Sequence, residues 1–176
     1  SVVAVWGGSS ELDVYQPFFS GKVMHFDNYA RFGTLPHAIG VHCQRGRKPS
    51  SPNQDDFFVL QRQEWLCFGV LDGHGSHGHH MSHLVQETLP KCMLGRCMDS
   101  AQGQQQRDWP VAISEAFHEV AKKLQEKYAK EACASGTTAS VVLLRRDPVD
   151  PTVNGSGGAT RLRCAFVGDS CIVYGR

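Results

Sequence analysis

The sequence predicts an α+β fold, antiparallel strands with flanking helices, on three observations. Two apolar runs of strand length, Phe57–Gln61 and Trp65–Asp72, are separated only by a short polar turn, which is the pattern of a β-hairpin. A stretch at 109–132 carries apolar residues on one helical face. Two further runs, TTASVVLLRR (137–146) and RLRCAFVGDS (161–170), return to the alternation of half-buried strands.

The elements follow in order. Residues 1–35 lack clear periodicity; VVAVW suits a short strand with GGSS as a turn, so this segment is an extension or edge element and 36–176 the main domain. HAIGVHCQ (37–44) alternates well enough for a strand. The prolines and serines of RGRKPSSPNQDD then forbid a regular ladder. The second hairpin run, WLCFGVLD, is apolar on both faces, as a covered central strand requires. Met81, Leu84, Val85 and Leu89 predict a helix from 79 to Pro90. CMDSAQGQQQRD is a polar connector. In the 109–132 helix Asp108 suits the N-cap and Pro110 the first turn, with Ile113, Phe117, Val120, Ala121, Leu124 and Tyr128 on one face. After the loop 147–159 and the run at 161–170, CIVYGR begins another strand.

Composition excludes several classes. With 18 basic against 17 acidic residues the formal net charge is +1, which offers no footprint for nucleic acid or an anionic membrane. No apolar run approaches the roughly 18–20 residues of a membrane span. The first residues have neither an initiator Met nor a signal-peptide layout, so Ser1 is not expected to be the gene's start. Seven cysteines, an odd number without a CxxC pair, predict buried thiols in a reducing compartment; Cys67 and Cys164 lie inside apolar runs. A cytoplasmic or nuclear protein is expected.

The chemistry concentrates in Leu71-Asp72-Gly73-His74-Gly75. A strand delivers Asp72 at its end, and Gly73 lets a carboxylate and a backbone carbonyl approach one hard cation. His74 stands beside them as a proton donor; a tight Asp-Gly turn with a surface His has the same appearance. Because the hairpin is antiparallel, Asp55 or Asp56 should approach Asp72, and carboxylates at one strand end repel unless a cation or proton lies between them. Asp169 in Val167-Gly168-Asp169-Ser170 is a third strand-end Asp beside a glycine.

In this order, DGHG (72–75), SGTTA (135–139) and GDS (168–170), with NQDD (53–56) upstream, resemble the metal-dependent Ser/Thr protein phosphatases of type 2C over about residues 37–176. The resemblance implies an antiparallel β-sandwich flanked by helices, with two or more Mg²⁺ or Mn²⁺ ions at one end. It implies that Asp72 bridges two metals, that the Gly73 carbonyl is a ligand, and that Asp55 and Asp169 serve metal positions. His74 would be the general acid toward the leaving Ser or Thr oxygen of a phosphorylated protein, with attack by water activated by the cations and no phosphoenzyme. SGTTA would pack structurally near the site.

Departures accompany the match. Gln54 stands where the family often has Glu, and Pro49–Pro52 lengthens the spacing from Arg47 and Lys48, the residues available to bind phosphate. The family's two later metal-binding aspartates do not occur in these 176 residues. The chain by itself is therefore expected not to be a competent phosphatase, and to work within a larger protein or assembly. His74, His77, His79, His80 and His83 crowd ten residues, and His79 and His83 have zinc-compatible spacing, but without a cysteine or HExxH partner they read as surface histidines on a polar helix start. The alternative of another class is a non-catalytic, phosphatase-like interaction or regulatory module; an intact His74, which a binding module does not need, argues for the enzyme.

Overall fold

The hairpin at the middle of the chain is also the middle of the sheet. The computed structural model describes residues 2–9, 22–27, 39–47, 51–62, 65–98, 108–146 and 160–175. Its strands are β1 (Val2–Ser9), β2 (Lys22–Asp27), β3 (Asp56–Arg62), β4 (Trp65–Leu71), β5 (Gly73–His74), β6 (Gly136–Thr137), β7 (Ala139–Arg146) and β8 (Thr160–Val167). The helices are α1 (Gly78–Met93) and α2 (Trp109–Lys127). A six-stranded sheet runs β2-β1-β3-β4-β7-β8, antiparallel throughout, and β5-β6 form a separate two-stranded ladder.

Strand alternation sends Phe58, Leu60, Trp65, Cys67, Leu71, Val141 and Leu143 to one face, where Val85, Leu89 and Met93 of α1 and Ala112, Ala116 and Val120 of α2 cover them. Each large apolar side chain buried this way contributes about 1.5–3 kcal/mol. Asp108 caps α2 by accepting the Val111 N–H, and the Trp109 ring at its start packs tilted against Trp65, centroids 4.8 Å apart, which ties the helix to the start of β4. The opposite face carries buried Val59, against which Ile39, Leu66 and Phe68 pack, and exposed Val70, Leu162 and Phe166. The helices and the antiparallel sheet of the α+β expectation are both present. Among the described residues one large sheet is built, without a second sheet on that opposite face.

Four local expectations change. The run at 37–44 is described from Ile39, and it is irregular apart from a bridge at Cys43. Both edges of β3 and β4 are already paired, so no ladder is open to it, and Ile39 packs over the open face instead. Helix α1 passes through Pro90 to Met93 and a π-helical turn, Leu94–Met98, because buried Leu89, Cys92 and Met93 continue its apolar stripe. The segment after Ser170 is irregular through Gly175, with Val173 and Tyr174 exposed; no described strand pairs with it. All seven cysteines are free thiols, but only Cys67, Cys92 and Cys97 are buried, while Cys133, Cys164 and Cys171 are exposed. Cys164 is exposed because alternation along β8 puts it with Leu162 and Phe166 on the face the helices do not cover. The polar connector at 97–108 is described only in part, residues 99–107 lying outside the described set.

An ion-pair network joins the π-helical turn to α2. Arg96 reaches Glu115 at 2.7 Å and Glu119 at 3.0 Å, and Lys123 donates to Glu119 at 2.8 Å. Hydrogen bonds from Lys123 first and Arg96 second pull the Glu119 carboxyl from 4.5 to about 2. A folded-state value below the unfolded one stabilises the fold at pH above about 4.5, and that contribution is lost as pH falls toward 2. Arg96→Ala is therefore expected to lower the neutral-pH Tm by about 2–4 °C, a small effect because the pairs are solvent-exposed. In thermal melts followed by circular dichroism, the difference should shrink as pH falls from 5 to about 2.

Candidate functional site

Antiparallel pairing sets Asp56 opposite Leu71, so the start of β3 lies beside the end of β4 and next to Asp72. The backbone of Asp72 is held on both sides by one residue. Its N–H donates to Thr138 Oγ1 at 3.1 Å, and its carbonyl accepts the Thr138 N–H at 2.9 Å. The Thr138 hydroxyl is also 2.7 Å from that of Ser170, whose carbonyl accepts from Ser140 Oγ at 3.0 Å. Three segments far apart in sequence, 72–75, 135–139 and 168–170, thus meet at one end of the sheet. The small hydroxyl residues of SGTTA do the joining.

The loop after Asp72 is held as tightly. Gly73 is buried and donates its N–H to the Gln54 carbonyl at 3.2 Å. A Cβ at Gly73 would run into the carbonyl oxygens of Gln54 and Gly78, so only glycine fits. The Gln54 side chain donates to the Gly75 carbonyl at 2.6 Å, a bond a carboxylate could not donate. His74 is exposed with its ring against Gly136, where a Cβ would fall 2.8 Å from Nε2. On the far side, the His77 N–H donates to Ser135 Oγ at 3.0 Å.

A cleft of about 750 Å³ opens at this sheet end, with Asp55, Asp56, Asp72 and Ser170 lining it beside the strap Ile39–Gln44. Asp55 and Asp72 are exposed, while Asp56 is 2% exposed and turned toward α1. Asp169 is exposed beside Ser170 but does not line the cleft. Arg47 is exposed and also off the lining; Lys48 lies outside the described residues. Among the described residues, no group of three or more His, Cys, Asp or Glu is arranged to hold a metal ion. The acidic and carbonyl oxygens at this strand end fit a hard divalent cation in kind, though short of the six or so oxygens each such ion takes.

The histidines differ from the expected surface array. His77, His79, His80 and His83 are half-buried, with His79 and His80 ring centroids 4.2 Å apart and His80 stacked 5.6 Å from Tyr128. Burial, then the neighbouring His77, holds the His80 ring below its ordinary pKa.

Sequence reasoning missed the partners of Asp56. Gln86 of α1, 2% exposed, donates to Asp56 Oδ1 at 2.9 Å and to the Phe57 carbonyl at 3.1 Å. His83 Nδ1 is 3.7 Å from Asp56 Oδ2. A polar side chain among the buried positions Ser82, Val85 and Leu89 was the available signal. Thr138 was also missed as a linchpin. Thr138→Val, which keeps the shape and removes the hydroxyl, is expected to cost about 1–3 kcal/mol in urea unfolding. The Asp72 amide should become faster-exchanging by NMR.

The comparisons with known proteins point one way. The family model described as Protein phosphatase 2C matches residues 44–176. The chain is 30% identical over 127 residues, 70% of its length, to Probable protein phosphatase 2C 64 of Oryza sativa subsp. japonica. It spans 28% of the length of that relative. No solved structure matches.

Proposed function

The chain belongs to the protein phosphatase 2C family, and on that premise we propose that it forms part of a Mg²⁺- or Mn²⁺-dependent phosphatase acting on phosphoserine and phosphothreonine in proteins. The observation that carries the reading is the meeting of DGHG, SGTTA and GDS at one sheet end, where Asp55 and Asp72 share a cleft. Asp55, Asp72, the Gly73 carbonyl and Asp169 would hold the cations, with further ligands supplied by the rest of the protein. The bound cations would supply an activated water and neutralise phosphoryl charge. Thr138 and Gln54 keep the Asp72–Gly75 backbone in place without occupying its side chains. His74, exposed and two residues from Asp72, would give its proton to the departing Ser or Thr oxygen. Arg47 and Lys48 would attract the phosphate. Seven free thiols support a cytoplasmic or nuclear setting.

The test is Mn²⁺-dependent hydrolysis by the full-length protein of two substrates, a phosphothreonine peptide and p-nitrophenyl phosphate. His74→Ala is expected to slow the peptide reaction by about a hundredfold or more and the aryl ester much less, because p-nitrophenolate leaves without a proton. No turnover of either substrate by the full-length protein, with Mg²⁺ or Mn²⁺, would overturn the reading. Equal losses on both substrates would remove His74 from the acid role.

A further inference from the structure

A buried carboxylate stands directly behind the proposed cation site, and the enzyme reading gives it no task. Asp56 is 2% exposed at the first position of β3, next to exposed Asp55 and paired with Leu71 across the ladder. Two residues of one helix reach it, and a third touches one of those two. Gln86 donates to Oδ1 at 2.9 Å and with the same amide nitrogen to the Phe57 carbonyl at 3.1 Å. His83 lies 3.7 Å from Oδ2, and its other ring nitrogen lies 3.6 Å from Glu87. A helix–sheet interface gains little from such a group, since a well-packed apolar residue of similar size is often as stable or more so. The buried charge and its polar partners therefore call for a use, and its place in the strand supplies one. Alternation turns Asp56 inward to α1 and leaves Asp55 facing the cleft, so anchoring one orients the other. Its carboxylate also stands next in the chain to exposed Asp55, close enough to favour cation binding by its charge.

We propose that Asp56, held by Gln86 and His83, is a positioning residue for the cation site: it fixes the strand end that presents Asp55 and Asp72, and it adds a buried negative charge behind them. The inference rests on the cation-binding reading above. It makes α1 part of the site's support, through side chains that touch neither cation nor substrate.

The experiment is Mn²⁺ binding to the purified full-length protein, followed by the loss of the free Mn²⁺ electron paramagnetic resonance signal, so that no turnover is needed. Asp56→Asn and Gln86→Met are each expected to weaken Mn²⁺ binding by about ten- to a hundredfold, as loss of outer support does at metal sites. Asp56→Leu should weaken it at least as much while the apo-protein Tm holds or rises. Circular dichroism melts of each variant check that the fold remains; should one variant fail to fold, the others decide. Wild-type affinity retained in folded Asp56→Asn and Asp56→Leu, with Asp72→Asn losing binding, would overturn the inference and leave the cation site standing. No Mn²⁺ bound by the wild-type full-length protein would overturn both.

Discussion

Asp72→Asn is expected to remove divalent-cation binding and with it the phosphatase activity of the full-length protein, while leaving the fold intact. The reason lies in how the residue is held. Both its backbone groups are bonded to Thr138, at 3.1 and 2.9 Å, so the backbone does not depend on the carboxylate. The residue is exposed at the cleft, and among the described residues no hydrogen bond engages its side chain. Asn has the same shape and one neutral oxygen in place of a shared negative charge. Loss of a direct ligand should weaken Mn²⁺ binding by more than the ten- to a hundredfold typical of supporting residues. Turnover should fall by about a thousandfold, ~4 kcal/mol of transition-state stabilisation. The apo-protein Tm should hold or rise slightly, because Asp55 and Asp56 lose a like-charged neighbour. Calorimetry with Mn²⁺, a melt and a hydrolysis assay on the same preparation separate these outcomes. Mn²⁺ affinity unchanged in a folded Asp72→Asn protein would place the cations elsewhere.

Phe58→Ala should be among the most destabilising single substitutions in the core. Phe58 is 1% exposed, in the central β3–β4 pairing of the sheet, directly opposite Gly69. Its ring occupies the space where a Cβ on Gly69 would stand. The glycine is thus half of a fitted pair, absent a side chain because the neighbouring ring covers that spot. Truncation removes the ring and leaves a cavity between the sheet and α1, at a cost of about 3–5 kcal/mol. Against a total stability of about 5–15 kcal/mol that is a large fraction. Gly69→Ala alone should also destabilise, by forcing the ring off its position. Combined with Phe58→Leu, Gly69→Ala should cost less than the sum of the two singles, since the smaller side chain makes room for the methyl. Urea midpoints of the four proteins test the coupling; strict additivity would mean that the ring and the glycine do not share this space.

Some of this was legible in the residues alone. The β3–β4 hairpin, α2 with its Asp108 cap, and the strands β7 and β8 each follow from a period or a cap that belongs to a few neighbouring residues. Those local signals survive folding because the core uses the same alternation that displays them. The pairing of Asp56 with Leu71 was also implicit, because an antiparallel hairpin with a short turn has one way to align its ends. The ordered motifs DGHG, SGTTA and GDS identified the family, and their residues are those that meet at the sheet end.

The rest depended on competition between distant segments. The run at 37–44 has strand character, but β1 and β4 occupy both edges of β3, so sheet order and not propensity decided its fate. Pro90 would end an isolated helix, yet the buried Leu89, Cys92 and Met93 hold α1 together past it. The histidines at 77–83 look like a solvated helix start until Tyr128, 45 or more positions away in the chain, stacks on His80. Gln86 and Thr138 show the same limit at the site itself. Sequence by itself determined which residue types stand at each strand end, because strand and turn chemistry is local. Only the tertiary structure decided which buried amide reaches Asp56 and which hydroxyl holds Asp72, because hydrogen bonds across 30 and 66 positions are made by packing a helix and a strand against the sheet.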